Sequence, residues 1–180
     1  MEKPIWRVRS STMLVDSPHL RLRCDDIELP DGTALPDYFV RESEGFVMIF
    51  ALTTRREVIL VRQYRYGNDS ISLELPAGSR ERNEDPLACA QRELLEETGF
   101  TAPRWEAFLH ASAEPVRSTS TLTAYIAYDA ECTAEQHLDP SEFIEVELAP
   151  LAEFARMLRA GAIDSVACIA TGYAALERLG

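Results

Sequence analysis

The feature that most constrains this chain is a helix-forming segment with clear signals at both ends. Asp85 followed by Pro86 is typical of a helix start, because aspartate caps free amide groups and proline suits the first helical position. Gly99 marks the other end, because glycine readily adopts the left-handed conformation that terminates helices. The segment therefore predicts a helix over residues 86–98.

This predicted helix carries Glu93, Glu96 and Glu97 at the spacing i, i+3, i+4. Three carboxylates so placed project from one side of a helix, where a divalent cation would turn their repulsion into binding. Oxygen ligands favour Mg²⁺ or Mn²⁺. Arg92 can pair with Glu96, and Glu84 can hydrogen-bond or join the metal ligands. Taken alone, the segment fits a solvated acidic helix face better than a metal site, because exposure is the norm for charged residues.

The rest of the chain is predicted to form mainly strands, followed by two helices. Alternating or apolar β-rich runs predict strands at 6–15, 19–29, 37–41, 45–52, 58–64, 71–75, 105–111, 122–128 and 143–148. The first three are expected to form a small N-terminal sheet, and 45–52 with 58–64 a buried hairpin. Helices are expected at 151–160 and 165–179. We predict an α/β fold with a mixed sheet and a helix on each face, packed in part through Leu87, Ala90, Leu94 and Leu95.

The charge of the chain limits its partners. A formal net charge of −12 argues against a general nucleic-acid binder, which would be basic. A small phosphorylated ligand remains compatible if divalent cations lie between carboxylates and phosphates. No apolar run is long enough to cross a bilayer, and the first residues lack the apolar stretch of a signal peptide, so we expect a cytoplasmic protein that does not bind membranes.

The cysteines do not suggest a metal centre or a disulfide framework. Cys24, Cys89, Cys132 and Cys168 form no CxxC pair and have no histidine close by in sequence. We expect most or all of them to be buried or half-buried thiols.

The glutamate helix is part of a longer pattern, which reads GSRERNEDPLACAQRELLEETGF from Gly78 to Phe100. This segment resembles the Nudix box. Each defining position is filled, by Gly78, Glu84, Arg92, Glu93, Leu94, Glu96, Glu97, Gly99 and Phe100. The resemblance implies an α/β/α sandwich in which the box forms a loop, a helix and a loop. It also implies an enzyme that uses Mg²⁺ or Mn²⁺ to hydrolyse nucleoside diphosphates linked to a further group.

The same resemblance implies roles for individual residues. Glu93 and Glu97 match the main metal ligands of the family, and Glu96 matches a carboxylate that binds the metal or supports its ligands. The carbonyl of Ala77 matches a backbone metal ligand in the members that cleave ADP-ribose. Gly78 would let the backbone approach the metal and the phosphates closely.

Segments outside the box resemble the ADP-ribose pyrophosphatase branch of this family. They are Leu29–Gly32, Val61–Gly67 and Leu73–Gly78. The resemblance implies an N-terminal β-sheet subdomain over 1–43, which often forms a homodimer, and a Nudix domain over 44–180. The implied reaction converts ADP-ribose to AMP and ribose 5-phosphate.

Four residues are candidates for substrate binding on this basis. Arg65 matches a phosphate-contacting arginine, Arg62 is a further candidate, and Glu74 is expected near the terminal ribose. Pro115, fifteen residues after Phe100, matches a marker proline of the branch. Arg65 also fits a surface salt bridge, and Pro115 an ordinary loop proline. Aromatic candidates for stacking on the base, which also fit core or interface roles, are Trp6, Tyr64 and Tyr66.

The loop before the last strand resembles the family less closely. The family places a further metal-binding or catalytic carboxylate there, and Glu142 aligns best. Some relatives carry the catalytic-base glutamate two residues earlier, where this chain has Pro140. Asp139, Glu142 or Glu135 would then take that role, with Glu142 as our choice, or the substrate preference differs. His137 is a further candidate for acid–base chemistry, but a lone loop histidine is usually solvated.

Other functions remain open at this point. The same chemistry could act on GDP-mannose or another nucleotide sugar, which the Pro140 difference would accommodate. A Nudix-fold module could bind a nucleotide metabolite without cleaving it, although such a module would not need all three glutamates. RNA-end processing fits the acidic charge poorly.

Overall fold

The computed structural model describes residues 5–180, so residues 1–4 of the predicted N-terminal segment lie outside the described part. The chain divides into two compact units. The first runs up to Glu44 and includes Ser112–Thr121, and the second comprises Gly45–Ala111 and Leu122–Gly180. The division of the chain into domains at 43/44 stays a prediction, and sequence reasoning did not assign the segment 112–121 to the first unit.

The first unit is built on an antiparallel sheet. Its strands are β1 (Arg7–Asp16), β2 (Arg21–Glu28) and β3 (Ala34–Glu42), paired in that order. The turn between β2 and β3 forms where Pro30-Asp31-Gly32 predicts one, with Gly32 at φ 84°. The segment 112–121 attaches to β3, because Arg41 donates to the Arg117 carbonyl and accepts from the Thr119 amide. The predicted N-terminal sheet is confirmed.

The remaining elements lie almost entirely in the second unit. The strands are β4 (Phe46–Thr53), β5 (Glu57–Arg65), β6 (Ser70–Glu74), β7 (Ala77–Ser79), β8 (Phe100–Thr101), β9 (Arg104–Ser112), β10 (Thr121–Cys132) and β11 (Ile144–Pro150). The helices are α1 (Pro86–Thr98), α2 (Leu151–Ala160) and α3 (Val166–Leu179). The predicted helices 86–98 and 151–160 are confirmed, and the third starts at Val166 because Ser165 is its N-cap residue. Strands β7 and β8 were not predicted, since two or three residues leave no alternating pattern.

Strands β4 and β5 diverge soon after their connecting turn. Their antiparallel register contains the single pair Leu52–Val58. Farther along, β7 pairs with β4 and β6 pairs with β5. The predicted hairpin therefore exists only near its turn. The chain crosses from β6 to β7 at Leu75-Pro76, where the Pro76 carbonyl accepts from the Ile49 amide at 2.8 Å. This crossing lies at the point where the glutamate helix meets the sheet.

The mixed sheet has a core on each face, because successive residues of β4 point to opposite sides. Strand β4 pairs in parallel with β10 and lies near the middle of the order β11-β5-β4-β10-β8. One core joins α1 to the sheet through Val47, Ile49, Ala51, Cys89, Ala90 and Leu94. The other joins α2 and α3 to it through Met48, Phe50, Leu52, Phe154, Leu158, Cys168 and Ala175. The predicted α/β class with a helix on each face is confirmed.

One expected core contact is wrong. Leu95 is 36% exposed, whereas Cys89 is fully buried against the sheet. A helix turns by about 100° per residue, so the face that buries Ala90 and Leu94 turns Leu95 towards solvent.

The cysteines agree with the expectation that most of them are buried or half-buried. All four are free thiols; Cys89 and Cys168 are buried, Cys24 is half-buried and Cys132 is exposed. No helix within residues 5–180 combines the length and the apolar character needed to cross a bilayer.

The cap of α1 leads to a stability prediction. The Asp85 carboxylate accepts from the amides of Leu87 at 3.0 Å and Ala88 at 3.1 Å. We expect Asp85→Ala to lower the free energy of unfolding by about 1 kcal/mol, as loss of an N-cap does in other proteins. Urea titration followed by circular dichroism measures this quantity.

Ser165→Ala is the matched control, because Ser165 occupies the N-cap of α3 without a side-chain cap hydrogen bond. It should change the free energy of unfolding by only a few tenths of a kcal/mol. Equal losses in the two variants would contradict the assigned role of the Asp85 carboxylate.

Candidate active site

Glu97 connects helix α1 to the crossing between β6 and β7. Its side chain is buried, with the residue 4% exposed, and its Oε2 accepts from the Ala77 amide at 3.0 Å. A buried carboxylate needs such a donor, because leaving it unpaired would cost its full desolvation penalty. The hydrogen bond holds the backbone at Ala77 against the helix face that carries the glutamates.

Gly78 allows Glu93 to approach the same stretch of backbone. A Cβ atom built on Gly78 would lie 1.8 Å from Cδ of Glu93, which is far shorter than any van der Waals contact. Any larger residue at this position would displace the Glu93 carboxylate. The glycine at the start of the motif is thus required by close approach rather than by an unusual φ angle.

Arg92 organises the remaining acidic side chains of the motif. Its guanidinium donates to Oε1 and Oε2 of Glu84 at 3.0 and 3.1 Å. It also donates to Oε1 of Glu93 at 2.8 Å and to Oε2 of Glu96 at 2.9 Å. The Arg92 hydrogen bonds hold the pKa of Glu84 down at about 2. The expected pair between Arg92 and Glu96 is present, and Glu84 serves as a partner of Arg92.

The charges at this site favour a cation. Burial raises the pKa of Glu97 to about 8, and the Glu93 and Glu142 carboxylates add to the rise against the opposing effects of the Ala77 amide and Arg65. Burial also raises the pKa of Glu93, where Arg92 opposes the effect and Glu96 and Glu142 add to it. Negative charge is therefore unfavourable here until a cation compensates it.

The predicted metal ligands are four glutamate side chains and the Ala77 carbonyl, so they offer only oxygen atoms. Such ligands suit a hard divalent cation. Within residues 5–180, however, no three acidic, histidine or cysteine side chains converge into a ready-made metal centre. Arg92 uses one oxygen of Glu93 and one of Glu96, and the Ala77 amide uses one oxygen of Glu97. The assignment of Ala77, Glu93, Glu96, Glu97 and Glu142 as metal ligands stays a prediction.

The loop that follows β10 is attached to the end of α1 by contacts that sequence reasoning missed. The Gln136 side-chain amide donates to the carbonyls of Glu97 at 2.6 Å and Ile144 at 3.2 Å. The His137 amide donates to the Glu96 carbonyl at 2.9 Å. Carbonyls at the end of a helix need such partners. No local pattern could have identified Gln136, because its partners lie far away in sequence or on another element.

The same loop carries Glu142, whose side chain is half-buried. Its charge acts on both Glu93 and Glu97, as the pKa directions above show. One of its oxygens accepts from the Asp139 amide at 3.0 Å, which closes a turn over Pro140. The position of Glu142 supports its choice over Glu135 and Asp139, which are both exposed.

A cleft of about 710 Å³ opens beside this carboxylate group, within the size range of small-ligand sites. Three residues predicted to bind substrate or metal line it, namely Arg65, Glu74 and Ala77. Arg65 forms a two-point ion pair with Glu74, Nε to Oε1 at 2.9 Å and Nη2 to Oε2 at 2.6 Å. The salt bridge anticipated for Arg65 is present, and it lies in the cleft wall.

The other predicted binding residues lie elsewhere. Arg62 does not line the cleft and pairs with Glu147 at 2.7 Å. Pro115 belongs to the first unit. Of the aromatic candidates, Tyr66 lines the cleft, while Trp6 packs edge-on against Tyr38 in the first unit at 5.6 Å between ring centroids.

Known proteins match the chain along most of its length. Residues 44–167 match the NUDIX domain, and residues 6–40 match the nucleoside diphosphate sugar hydrolase N-terminal domain. A methanol dehydrogenase activator from Bacillus methanolicus is 31% identical over 160 residues, which is 88% of this chain and 86% of that protein. An ADP-ribose pyrophosphatase from Bacillus subtilis (strain 168) is 33% identical over 126 residues, which is 69% of this chain and 68% of that protein.

The fold has a close match among solved structures. The crystal structure of an ADP compounds hydrolase matches with a TM-score of 0.86, covering 99% of this chain and 95% of that chain at 23% identity. At that level of identity the likeness concerns the fold. Since the NUDIX domain match spans residues 44–167, more than half of the chain, the protein belongs to the Nudix hydrolase family.

Proposed function

We propose that this protein hydrolyses the pyrophosphate bond of a nucleoside diphosphate sugar, with ADP-ribose as substrate and AMP and ribose 5-phosphate as products. One observation carries the proposal. Glu93 and Glu97 lie against the backbone of Ala77 and Gly78, at the wall of a cleft that also contains Arg65 and Glu74. The N-terminal match to nucleoside diphosphate sugar hydrolases and the similarity to an ADP-ribose pyrophosphatase support the substrate class.

Nudix hydrolases generally need divalent metal ions, and we infer Mg²⁺ or Mn²⁺ from the all-oxygen donor set. The ion would be held by the Ala77 carbonyl with Glu93, Glu97 and Glu142, and Glu96 would bind it or support the other ligands. When bound, it neutralises the pyrophosphate oxygens and stabilises charge as the bond breaks.

The side chains of the chain supply the remaining functions. Arg65 can donate two parallel hydrogen bonds to a phosphate, as it does to Glu74 here. Glu74 would then be released to accept from a sugar hydroxyl. Glu142 would take the proton of the attacking water as a general base, which is supported by its electrostatic effect on Glu97 and by its forming no ion pair within residues 5–180. The roles of Arg62 and Pro115 in substrate binding stay predictions.

We also propose that the protein is a homodimer through its first unit. All ten residues of β1 are exposed, and they include Val8, Met13, Leu14 and Val15. A sheet edge with so much apolar surface is typical of an interface. The cytoplasmic location expected from the sequence also stays a prediction.

Cleavage of a different nucleotide sugar, such as GDP-mannose, is the second candidate. Pro140 favours it, because some members of the ADP-ribose branch place a glutamate at that position. The two candidates share the site chemistry and differ in the group that the protein must recognise.

A substrate panel tests the proposed function. Purified protein with Mg²⁺ or Mn²⁺ is assayed on ADP-ribose, GDP-mannose, NADH, diadenosine polyphosphates and nucleoside triphosphates, with the products separated by chromatography. We expect the highest kcat/KM for ADP-ribose, with AMP and ribose 5-phosphate as products. Faster cleavage of GDP-mannose would overturn the substrate assignment. Absence of any cleavage would favour a module that binds nucleotides without hydrolysing them.

The helix glutamates give a second prediction. Glu93→Gln and Glu97→Gln should each lower kcat/KM by about two orders of magnitude or more, because each removes a negative charge from the metal-binding group. Glu81→Gln is the matched control in the same motif, since Glu81 is exposed, and its kcat/KM should be near normal. Circular dichroism checks that the fold survives. Near-normal activity of Glu93→Gln or Glu97→Gln would refute the metal-ligand assignment.

The loop carboxylates give a third prediction. Glu142→Gln should lower kcat far more than Glu135→Gln, because only the first substitution removes a carboxylate that acts on Glu93 and Glu97 in the structure. Initial rates at saturating substrate and metal measure the difference. The reverse order would move the general base to Glu135.

A further inference from the structure

The loop between β10 and β11 carries Glu142, the residue proposed above as the general base. We call residues 133–143 the Glu142 loop. The amides of Thr133 and Ala134 donate to the carbonyl of Gly99, at 2.9 and 3.2 Å. These bonds attach the first residues of the loop to the end of α1, several residues before Glu142.

Gln136 joins the two ends of the remaining loop segment. Its side-chain amide donates to the carbonyl of Glu97, in the last turn of α1, at 2.6 Å, and to the carbonyl of Ile144, the first residue of β11, at 3.2 Å. A primary amide has two N–H donors, so one side chain can serve both carbonyls. The bond to Ile144 closes the chain from 136 to 144, and the bond to Glu97 attaches this closed segment to α1.

Glu142 lies inside the closed segment, two residues before Ile144. The Glu142 amide donates to the Asp139 carbonyl at 2.9 Å, and the Asp139 amide donates to Oε2 of Glu142 at 3.0 Å. This turn is internal to the loop. It therefore fixes the shape of 139–142 without fixing the position of the Glu142 carboxylate relative to α1.

Most of the closed segment is in contact with solvent. Its exposed residues are Asp139, Pro140, Ser141 and Phe143, while Leu138 and Glu142 are half-buried. An exposed loop of this length has many conformations, and joining its ends removes a large part of them. A general base acts only within hydrogen-bonding reach of its water, so a loop that samples many positions would hold Glu142 in place for a smaller fraction of the time.

We propose that Gln136 is a positioning residue for the proposed reaction. By donating to the carbonyls of Glu97 and Ile144, it closes the Glu142 loop and holds Glu142 in one place relative to α1. The proposal rests on the proposed function, because it takes Glu142 as the general base. Gln136 acts through Glu142 and does not itself contact the substrate.

The first measurement is steady-state hydrolysis of ADP-ribose at saturating Mg²⁺ by Gln136→Met, which keeps the length of the side chain and removes both donors. We expect kcat to fall by about tenfold and KM to change by less than about twofold, because the cleft is unaltered. Gln136→Glu should behave alike, since its carboxylate cannot donate. Circular dichroism checks the fold of both variants.

Gln91→Met is the matched control. It makes the same chemical change at an exposed position on α1, so its kcat should be near that of the wild type.

A double-mutant cycle with Glu142→Gln separates positioning from a merely structural role. Effects of residues that act through one another are not additive. Once the Glu142 carboxylate has been removed, Gln136→Met should lower the remaining kcat by less than about twofold.

Hydrogen exchange followed by mass spectrometry tests the attachment of the loop without turnover. In Gln136→Met the amides between Leu138 and Phe143 should exchange about tenfold faster, because this segment opens more often. The amides of α1 from Cys89 to Leu94, which pack against the sheet, should keep their rates.

Three results would overturn the proposal. One is an unchanged kcat in both Gln136 variants. Another is an equal fold-loss from Gln136→Met with and without the Glu142 carboxylate, which would show that Gln136 does not act through Glu142. The third is unchanged exchange between Leu138 and Phe143. Failure of the wild type to hydrolyse any nucleotide sugar would refute the proposed function instead, and the exchange measurement would still show whether Gln136 holds the loop.

Discussion

The hydrogen bond between the Ala77 amide and the buried Glu97 carboxylate is the contact on which the site depends. It forms at the place where β4 and β5 have separated and the chain crosses between their partner strands. A continuous hairpin would have used the inner edges of β4 and β5 for pairing with each other, leaving no backbone to face α1. The separation of β4 and β5 therefore allows α1 to place its carboxylates at the wall of the cleft.

The site carries more negative charge than the neighbouring cationic groups neutralise. Burial and neighbouring carboxylates both raise the pKa of Glu97, and Arg92 offsets only part of the charge by pairing with Glu84, Glu93 and Glu96. Such crowding costs stability in the absence of a cation and creates affinity for one. The same crowding explains Gly78, whose missing side chain leaves room for Glu93.

The predicted metal ligands come from two different parts of the second unit. Helix α1 presents Glu93 and Glu97, while the loop before β11 presents Glu142 and Phe143 as consecutive residues. Gln136 holds the loop against the helix, because its side-chain amide donates to the carbonyls of both Glu97 and Ile144. Loops tolerate more sequence variation than the elements they connect, so this loop can vary while the helix and its carboxylates stay in place. The difference at Pro140 lies in this variable part.

Local signals in the sequence determined helix α1, the spacing of its glutamates, the alternating strands and the family, because capping, periodicity and motif spacing involve residues close together in the chain. The metal ligands and the loop base remain predictions that the geometry supports. The tertiary structure alone decided that β4 and β5 separate, that Arg65 pairs with Glu74, that Gln136 holds the loop, and that Phe143 is left exposed beside Glu142. Most of these facts join segments distant in sequence, and all depend on packing. These interactions form only once the chain has folded, so no local pattern encodes them.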